Sequence, residues 1–527
     1  MASTYRRRYF YISRRNKIDM SKLIHNCKIW TDSGYKEWLL FDENEIKEVG
    51  IGDHPASDEK IDLDGNFVFP GLIDSHIHVY GLGRELSRLR LNKPRSISEL
   101  QNKLHEYSKK NQDLKWIIGN NWDQDYMEDN RYPSKEDLDL IVDDRPVLLF
   151  RACNHIGVVN SKALEILNIY SKTENPLGGI IEKDEHEVPT GILKETALSL
   201  VTDHIKITDY KTRKKIITLG LQKCVEVGLT MVQTNDPNCW EIYKELEKND
   251  ELPIRVALTI FENDLEREIR PTPSSRINFL SCDRVKLFAD GSLGAQTAAL
   301  RQPYSDTKAM GVSIHKQDDL DAKVLRIKQA GFRLEVHAIG DLAAEMVLKS
   351  FEKANISKDE RPILTHCQIL AQDLINKMSQ LGVIANIQPQ FVTTDSQWVE
   401  KRLGEGNERL KYAYAWKTLL NNQIPIAGGS DSPIELPNPL HGIYAAIFRK
   451  NPQNEIWRPE EKLSFNESLD MYTKGGAFAT MMENQLGQLK ENYFADFIVV
   501  DKDIGEKPEG IMDTKIIQVW VNGKKKF

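Results

Sequence analysis

Eight short apolar runs set the strongest limit on how this chain can fold. They lie at 67–73, 230–234, 254–260, 284–289, 333–337, 363–366, 383–388 and 425–429, and amphipathic helical patterns such as 320–330 and 343–354 fall between them. Strands alternating with helices select a parallel sheet. Eight of them fit a closed (β/α)8 barrel, so the expected class is α/β with a TIM barrel. One connection breaks the rhythm: more than 150 residues separate the first run from the second. A gap of that size exceeds any simple loop. Residues about 80–215, which contain further strand-like runs such as 116–119 and 147–150, are therefore expected to form an inserted subdomain over the barrel mouth.

The two ends of the chain follow a different pattern. From Leu23 to Val68, and again at 495–501 and 515–523, short segments alternate with period two between turn residues. That pattern indicates antiparallel strands. Neither end has enough of them for a stable sheet alone, so both ends are expected to pair into one β-sandwich. The expected division is 20–68 with 483–527 as the composite sandwich, and 69–482 as the barrel with its insertion. Residues 1–19, with five arginines among tyrosines and no apolar core, read as a disordered extension or as sequence upstream of a start at Met20; an Arg-rich transit peptide is the alternative.

Charge and hydropathy exclude several classes of partner. The 71 basic and 78 acidic residues are dispersed, for a net charge of −7, and form no basic stripe to follow a phosphate backbone. No run approaches the 18 or so apolar residues that cross a bilayer. Nucleic acid and membrane are thus not expected as partners, and a small molecule is. The six cysteines are scattered without a Cys-x-x-Cys pair, as in a reducing, cytoplasmic setting.

The first apolar run leads into Asp74-Ser-His76-Ile-His78. Side chains two apart on a strand share a face, so one metal ion can meet both imidazoles; alone, the pair could equally cap a strand. Three later strand ends carry His337, His366 and Asp431. Catalytic residues of such barrels gather at the C-terminal ends of strands, and the convergence of four histidines and an aspartate there indicates a metal site. The fourth run holds Lys286 among apolar residues. A buried ammonium must find an acid, Asp290 or another, or lose its charge; as a carbamate it would become an anionic ligand able to bridge two cations.

These residues together resemble the amidohydrolase superfamily. Finer phrases resemble its YtcJ-like branch, which includes N-substituted formamide deformylases: Phe69-Pro-Gly-Leu-Ile-Asp-Ser-His76, Asn154-His155 through Asn160-Ser-Lys-Ala-Leu164, Gly191-Ile-Leu-Lys-Glu195, Lys286-Leu-Phe-Ala-Asp-Gly-Ser-Leu-Gly, and Gly429-Ser-Asp431-Ser-Pro. The likeness runs from about residue 22 to 522. It implies His76 and His78 on one metal, His337 and His366 on a second or as accessory ligands, Lys286 as a carbamylated bridge, and Asp431 as ligand and proton shuttle. Zn²⁺, as one or two ions, suits imidazole and carboxylate, with Mn²⁺ or Fe²⁺ as alternatives. Trp122, Asp123, His155 and Asn160, in the insertion, are the candidate substrate contacts, with packing and helix capping as their other reading; Glu195 reads as a helix-face carboxylate. The implied activity is metal-dependent hydrolysis of non-peptide carbon–nitrogen bonds in an amide, formamide or cyclic amide. Deamination, ester or lactone hydrolysis on the same barrel, and a non-catalytic binding protein are the alternatives. A homodimer is compatible with this reading.

Overall fold

The computed structural model describes residues 20–153, 155–205, 209–267, 269–274 and 279–527. The extension over residues 1–19 and Asn154 lie outside them. Eight parallel strands form the central sheet: β1 (Leu72–Ile77), β2 (Leu229–Thr234), β3 (Arg255–Phe261), β4 (Leu280–Phe288), β5 (Arg333–Ala338), β6 (Ile363–His366), β7 (Ile384–Ile387) and β8 (Ile426–Gly428). Each is hydrogen-bonded to the next in chain order. Almost every residue in them is buried, because helices cover the outer face while side chains fill the bore. The fold is the α/β barrel that the spacing of apolar runs predicts.

Closure between β1 and β8 occurs just beyond the end of β8. The Asp431 amide donates to the His76 carbonyl at 2.7 Å, and the His78 amide to the Ser432 carbonyl at 2.9 Å. Beside them the buried Asp74 carboxylate accepts from the Ser430 and His76 amides at 3.1 and 3.0 Å. Gly429 permits this approach: a Cβ there would lie 2.6 Å from the His76 nitrogen.

The first apolar run does not form one strand. It divides at Gly71 into Phe67–Pro70, which belongs to a different sheet, and β1. A Cβ on Gly71 would come within 2.4 Å of the Thr230 hydroxyl, so the glycine lets the chain cross tightly from one sheet to the other. Strand β4 begins at Leu280, earlier than the run at 284–289, because Ser281 and Asp283 interrupt its apolar pattern.

Both chain ends share the second sheet. Its order is Lys28–Ile29, Phe67–Pro70, Phe497–Val500, Ile516–Val521, Lys524–Lys525. A four-stranded sheet built from Ser21–His25, Trp38–Asp42, Glu45–Gly50 and Glu59–Asp62 packs on it, and Ile24, Phe41, Val68, Phe497 and Trp520 form the core between them.

After β1 the chain leaves the barrel through the helix Val79–Leu86 and builds a six-stranded sheet before returning through the helix Tyr210–Glu226. This sheet has a core of its own on each side, one around Leu100, Trp122 and Leu149, the other around Leu148, Val159 and Leu193. Among the described residues no helix is long and apolar enough to cross a membrane, and all six cysteines are unpaired.

Candidate metal centre

The ends of β1, β5 and β6 and the turn after β8 bring His76, His78, His337, His366 and Asp431 to one cavity of about 420 Å³. His76 ends its alternating strand facing the bore, and His78 caps the helix that follows. Asp431 and His366 take left-handed backbone angles, φ 55° and 82°. Non-glycine residues in that region are costly and concentrate at functional sites. One nitrogen, oxygen or equivalent donor atom each from His76, His78 and Asp431 lie within 4.8 Å of one another. The His337 and His366 rings stand 4.4 Å apart, and His366 is 5.4 Å from His76.

Each imidazole meets an acceptor oxygen from behind. His76 Nδ1 meets Glu335 Oε1 at 3.0 Å, with the Asn235 side-chain amide nitrogen a more distant 3.2 Å from the same atom, and His78 Nδ1 meets the Asn235 carbonyl at 3.0 Å. His366 Nδ1 meets Gln388 Oε1 at 2.7 Å, and the Gln388 amide nitrogen, 3.2 Å from Asn386 Oδ1, fixes which way that amide faces. His337 Nε2 meets the Gly291 carbonyl at 3.0 Å. A ring that binds a metal is neutral, and with its proton on the backing nitrogen it offers a lone pair on Nε2 for His76, His78 and His366 and on Nδ1 for His337. His76 Nε2 and His78 Nε2 then face the same oxygen, Asp431 Oδ1, at 3.3 and 3.1 Å. In those tautomers three acceptor atoms converge at Asp431 Oδ1. A divalent cation resolves that repulsion, and hydrogen-bonded acceptors behind ligating histidines are the usual support of such a site. The residues present therefore fit a divalent metal.

With a proton in place of a cation between them, burial is outweighed by hydrogen bonds from the His76 and His78 rings, which hold the Asp431 carboxyl well below the usual carboxylate range, and against the effect of burial Asp431 in turn raises the His78 imidazole. Burial, with the neighbouring His337, pushes the His366 imidazole well below its ordinary value, so it stays neutral.

Lys286 pairs with Glu335, not with Asp290. Its ammonium lies 3.1 Å from Glu335 Oε1. Asp290 is taken up by the amides of Ala299, Ile339 and Gly340 at 2.8–3.0 Å. Glu335 also accepts from Thr259 at 3.2 Å and lies 3.5 Å from Arg284. Against the desolvation of a completely buried carboxyl, Lys286, His76 and Arg284 keep it ionised, well below its usual range. Glu335 is thus the centre of the polar bore, and it escaped the reading of the sequence. The signal was present: Glu335 precedes His337 by two residues on one strand, which puts both on the same face.

The four residues of the insertion lie apart from the cavity lining. Trp122 is fully buried and donates to the Leu149 carbonyl at 2.8 Å. Asp123 pairs with Arg151 at 2.7 Å and caps the short helix Gln124–Tyr126. Asn160 caps the helix Ser161–Ile166 and donates to the carbonyls of Val142 and Arg145. The exposed His155 meets Glu195 at 2.9 Å; Glu195 ends a strand, where a helix face is expected from the sequence. The cavity is lined instead by Phe288, Phe391, Trp398 and Ile434 among apolar groups, and by Gln368, Asp395 and Glu435 among polar ones.

Comparison with known proteins now adds to the geometry. Residues 59–525 match the amidohydrolase family. YtcJ of Bacillus subtilis (strain 168) is 34% identical over 458 residues, 84% of this chain and 86% of that protein. The N-substituted formamide deformylase of Arthrobacter pascens is 22% identical over 93% of each chain. Among solved structures, an uncharacterized metal-dependent hydrolase from Pyrococcus furiosus superposes with a TM-score of 0.77 at 31% identity, over 92% of this chain and 100% of that one.

Proposed function

Because this chain belongs to the amidohydrolase family and carries a centre fitted for a divalent metal, we propose that it hydrolyses carbon–nitrogen bonds other than peptide bonds, in an amide, formamide or cyclic amide. The observation that carries this reading is the meeting of two imidazole lone pairs and a carboxylate oxygen at Asp431. When bound there, a divalent cation supplies a Lewis acid that brings the pKa of a water towards about 7 and polarises a carbonyl.

The protein's own groups account for the remaining steps. Asp431, ionised and beside both imidazoles, accepts the proton of the attacking water. It then delivers that proton to the departing nitrogen, which leaves as an amine only after protonation. An ester makes no such demand, so a carboxylate poised for this return favours the amide class. A cavity of about 420 Å³ with mostly apolar walls suits a small acyl amine. The likeness to a formamide deformylase supports the same class.

Lys286 decides between one metal and two. As the carbamate it would be an anionic ligand able to hold two cations. As the ammonium 3.1 Å from Glu335 it is no ligand, having donors and no lone pair, and the histidines with Asp431 would then hold one ion.

The test is a panel of formamides, N-acyl amines, cyclic amides, esters, lactones and aminated heterocycles, assayed on protein loaded in turn with Zn²⁺, Mn²⁺ and Fe²⁺. Amide turnover that stops on chelation and returns with metal supports the reading. Turnover confined to esters or to deamination would replace it.

A further inference from the structure

A chain of buried amides in the barrel bore ends at one of the histidines of the site. It starts at the Ser75 carbonyl, beside His76. The pairing of β1 with β2 shifts register between Asp74 and Ile77, and such a bulge leaves an extra residue outside the ladder. Asn386 of β7 reaches past β8 to this point, and its side-chain nitrogen donates to the Ser75 carbonyl at 2.6 Å. Asn386 Oδ1 accepts from Gln388 Nε2 at 3.2 Å, and Gln388 Oε1 lies 2.7 Å from His366 Nδ1. Asn386 and Gln388 stand two residues apart at the end of β7, so both face the same way. Ser75, Asn386 and Gln388 are at most 3% exposed, which keeps bulk water from replacing any partner. Neither amide lines the cavity, whereas His366 does.

Donors and acceptors along this chain are ordered from one end. A backbone carbonyl only accepts, so Asn386 turns its nitrogen to Ser75 and its oxygen to Gln388. Gln388 must then turn its nitrogen to Asn386 and its oxygen to His366. A flip of either amide would set oxygen against oxygen, and a buried group so placed costs stability. We infer that Asn386 and Gln388 are positioning residues that pass the polarity of the Ser75 carbonyl to His366, holding its ring as the Nδ1–H tautomer with the Nε2 lone pair open to the cavity. Strand β1 thus bears His76 and, through two amides, decides which nitrogen of a second histidine is free. The use made of His366 rests on the hydrolytic reading of the centre; the tautomer itself needs neither metal nor substrate.

The test reads the tautomer directly. Protein with isotope-labelled histidine ring nitrogens is studied metal-free at about pH 8 by two-dimensional NMR, and the His366 signals are those absent from His366→Gln. In the wild type its proton should sit on Nδ1. Gln388→Met, close in volume, removes the acceptor, and Asn386→Leu leaves Gln388 able to turn over. Each should raise the ratio of Nε2–H to Nδ1–H by about tenfold, the worth of one hydrogen bond. The double variant should match Gln388→Met, because a chain cut at its last link gains nothing from a cut further back. Zn²⁺ affinity, read by competition with a coloured chelator, should fall about 10–100-fold in Gln388→Met. Side chains that only pack would lower stability and leave the tautomer as it was. An unchanged tautomer in folded Gln388→Met overturns the relay, and so does a wild-type His366 protonated on Nε2, a result that needs no variant to fold. A shifted tautomer with unchanged Zn²⁺ affinity keeps the relay and removes His366 from the ligands. A shifted tautomer in a protein that turns over no amide keeps the relay and ends the hydrolytic reading.

Discussion

Asp431 occupies a left-handed turn, φ 55°, between two imidazoles whose protons are already committed elsewhere. Asp431→Asn keeps the shape and removes the base, so turnover should fall by about 10²–10⁴-fold with most of the metal retained; His76→Ala should lose metal and activity together. Metal analysis beside kinetics checks both, and an Asn variant with normal turnover would end the proton-shuttle role. Lys286 and Glu335 make a second case. Lys286→Met removes one of the two cations beside the buried Glu335 carboxylate and should cost up to about 3–5 kcal/mol, with Arg284 at 3.5 Å the cation that remains. If the single variant instead loses metal and bicarbonate restores it, the carbamate bridge is the working form. That the histidines and Asp431 gather in one cavity was readable from sequence because each lies at or just beyond the end of a strand. Glu335, Gln368 and Asp395 were not singled out: a lone polar residue inside an apolar run, or on a loop, gains meaning only when its neighbours across the barrel are known.

Among elements, the strands of the barrel were placed to within a few residues, since an apolar run buried on both faces has few other uses. The division of the first run was missed. Nothing in Phe-Val-Phe-Pro-Gly-Leu-Ile distinguishes one strand from two, and the change of sheet is set by Thr230, more than 150 residues further on. Gly71→Ala should therefore destabilise the protein by about 1–3 kcal/mol through overpacking, and Thr230→Ala added to it should recover part of the loss. Denaturant unfolding of the two variants is the check; a neutral Gly71→Ala would show that the crossing is looser than the 2.4 Å approach implies. Trp122 and Asn160 belong to this scale as well. Their hydrogen bonds serve the insertion's own core and a helix start, and spacing alone does not separate such duties from contact with a ligand.

At the scale of the whole molecule, the metal triad joins β1 to the turn after β8, on either side of the barrel's closure. A cation bound only to the folded state adds about 4 kcal/mol at about 1,000 times its dissociation constant, so chelation should lower the melting temperature and Zn²⁺ or Mn²⁺ restore it. Calorimetry with and without chelator checks this, and identical melting would show that the triad does not clasp the barrel. The sheet shared by both chain ends has a further consequence, one that concerns the birth of the protein. Phe67–Pro70 pairs with Phe497–Val500, and at about 5–20 residues per second the ribosome delivers the partner only after tens of seconds. Through that interval the nascent chain carries an apolar strand whose edge has nothing to join. The half-made polypeptide, more than the finished one, is then the form exposed to aggregation, and a stalled or truncated message yields a chain that cannot complete its own beginning.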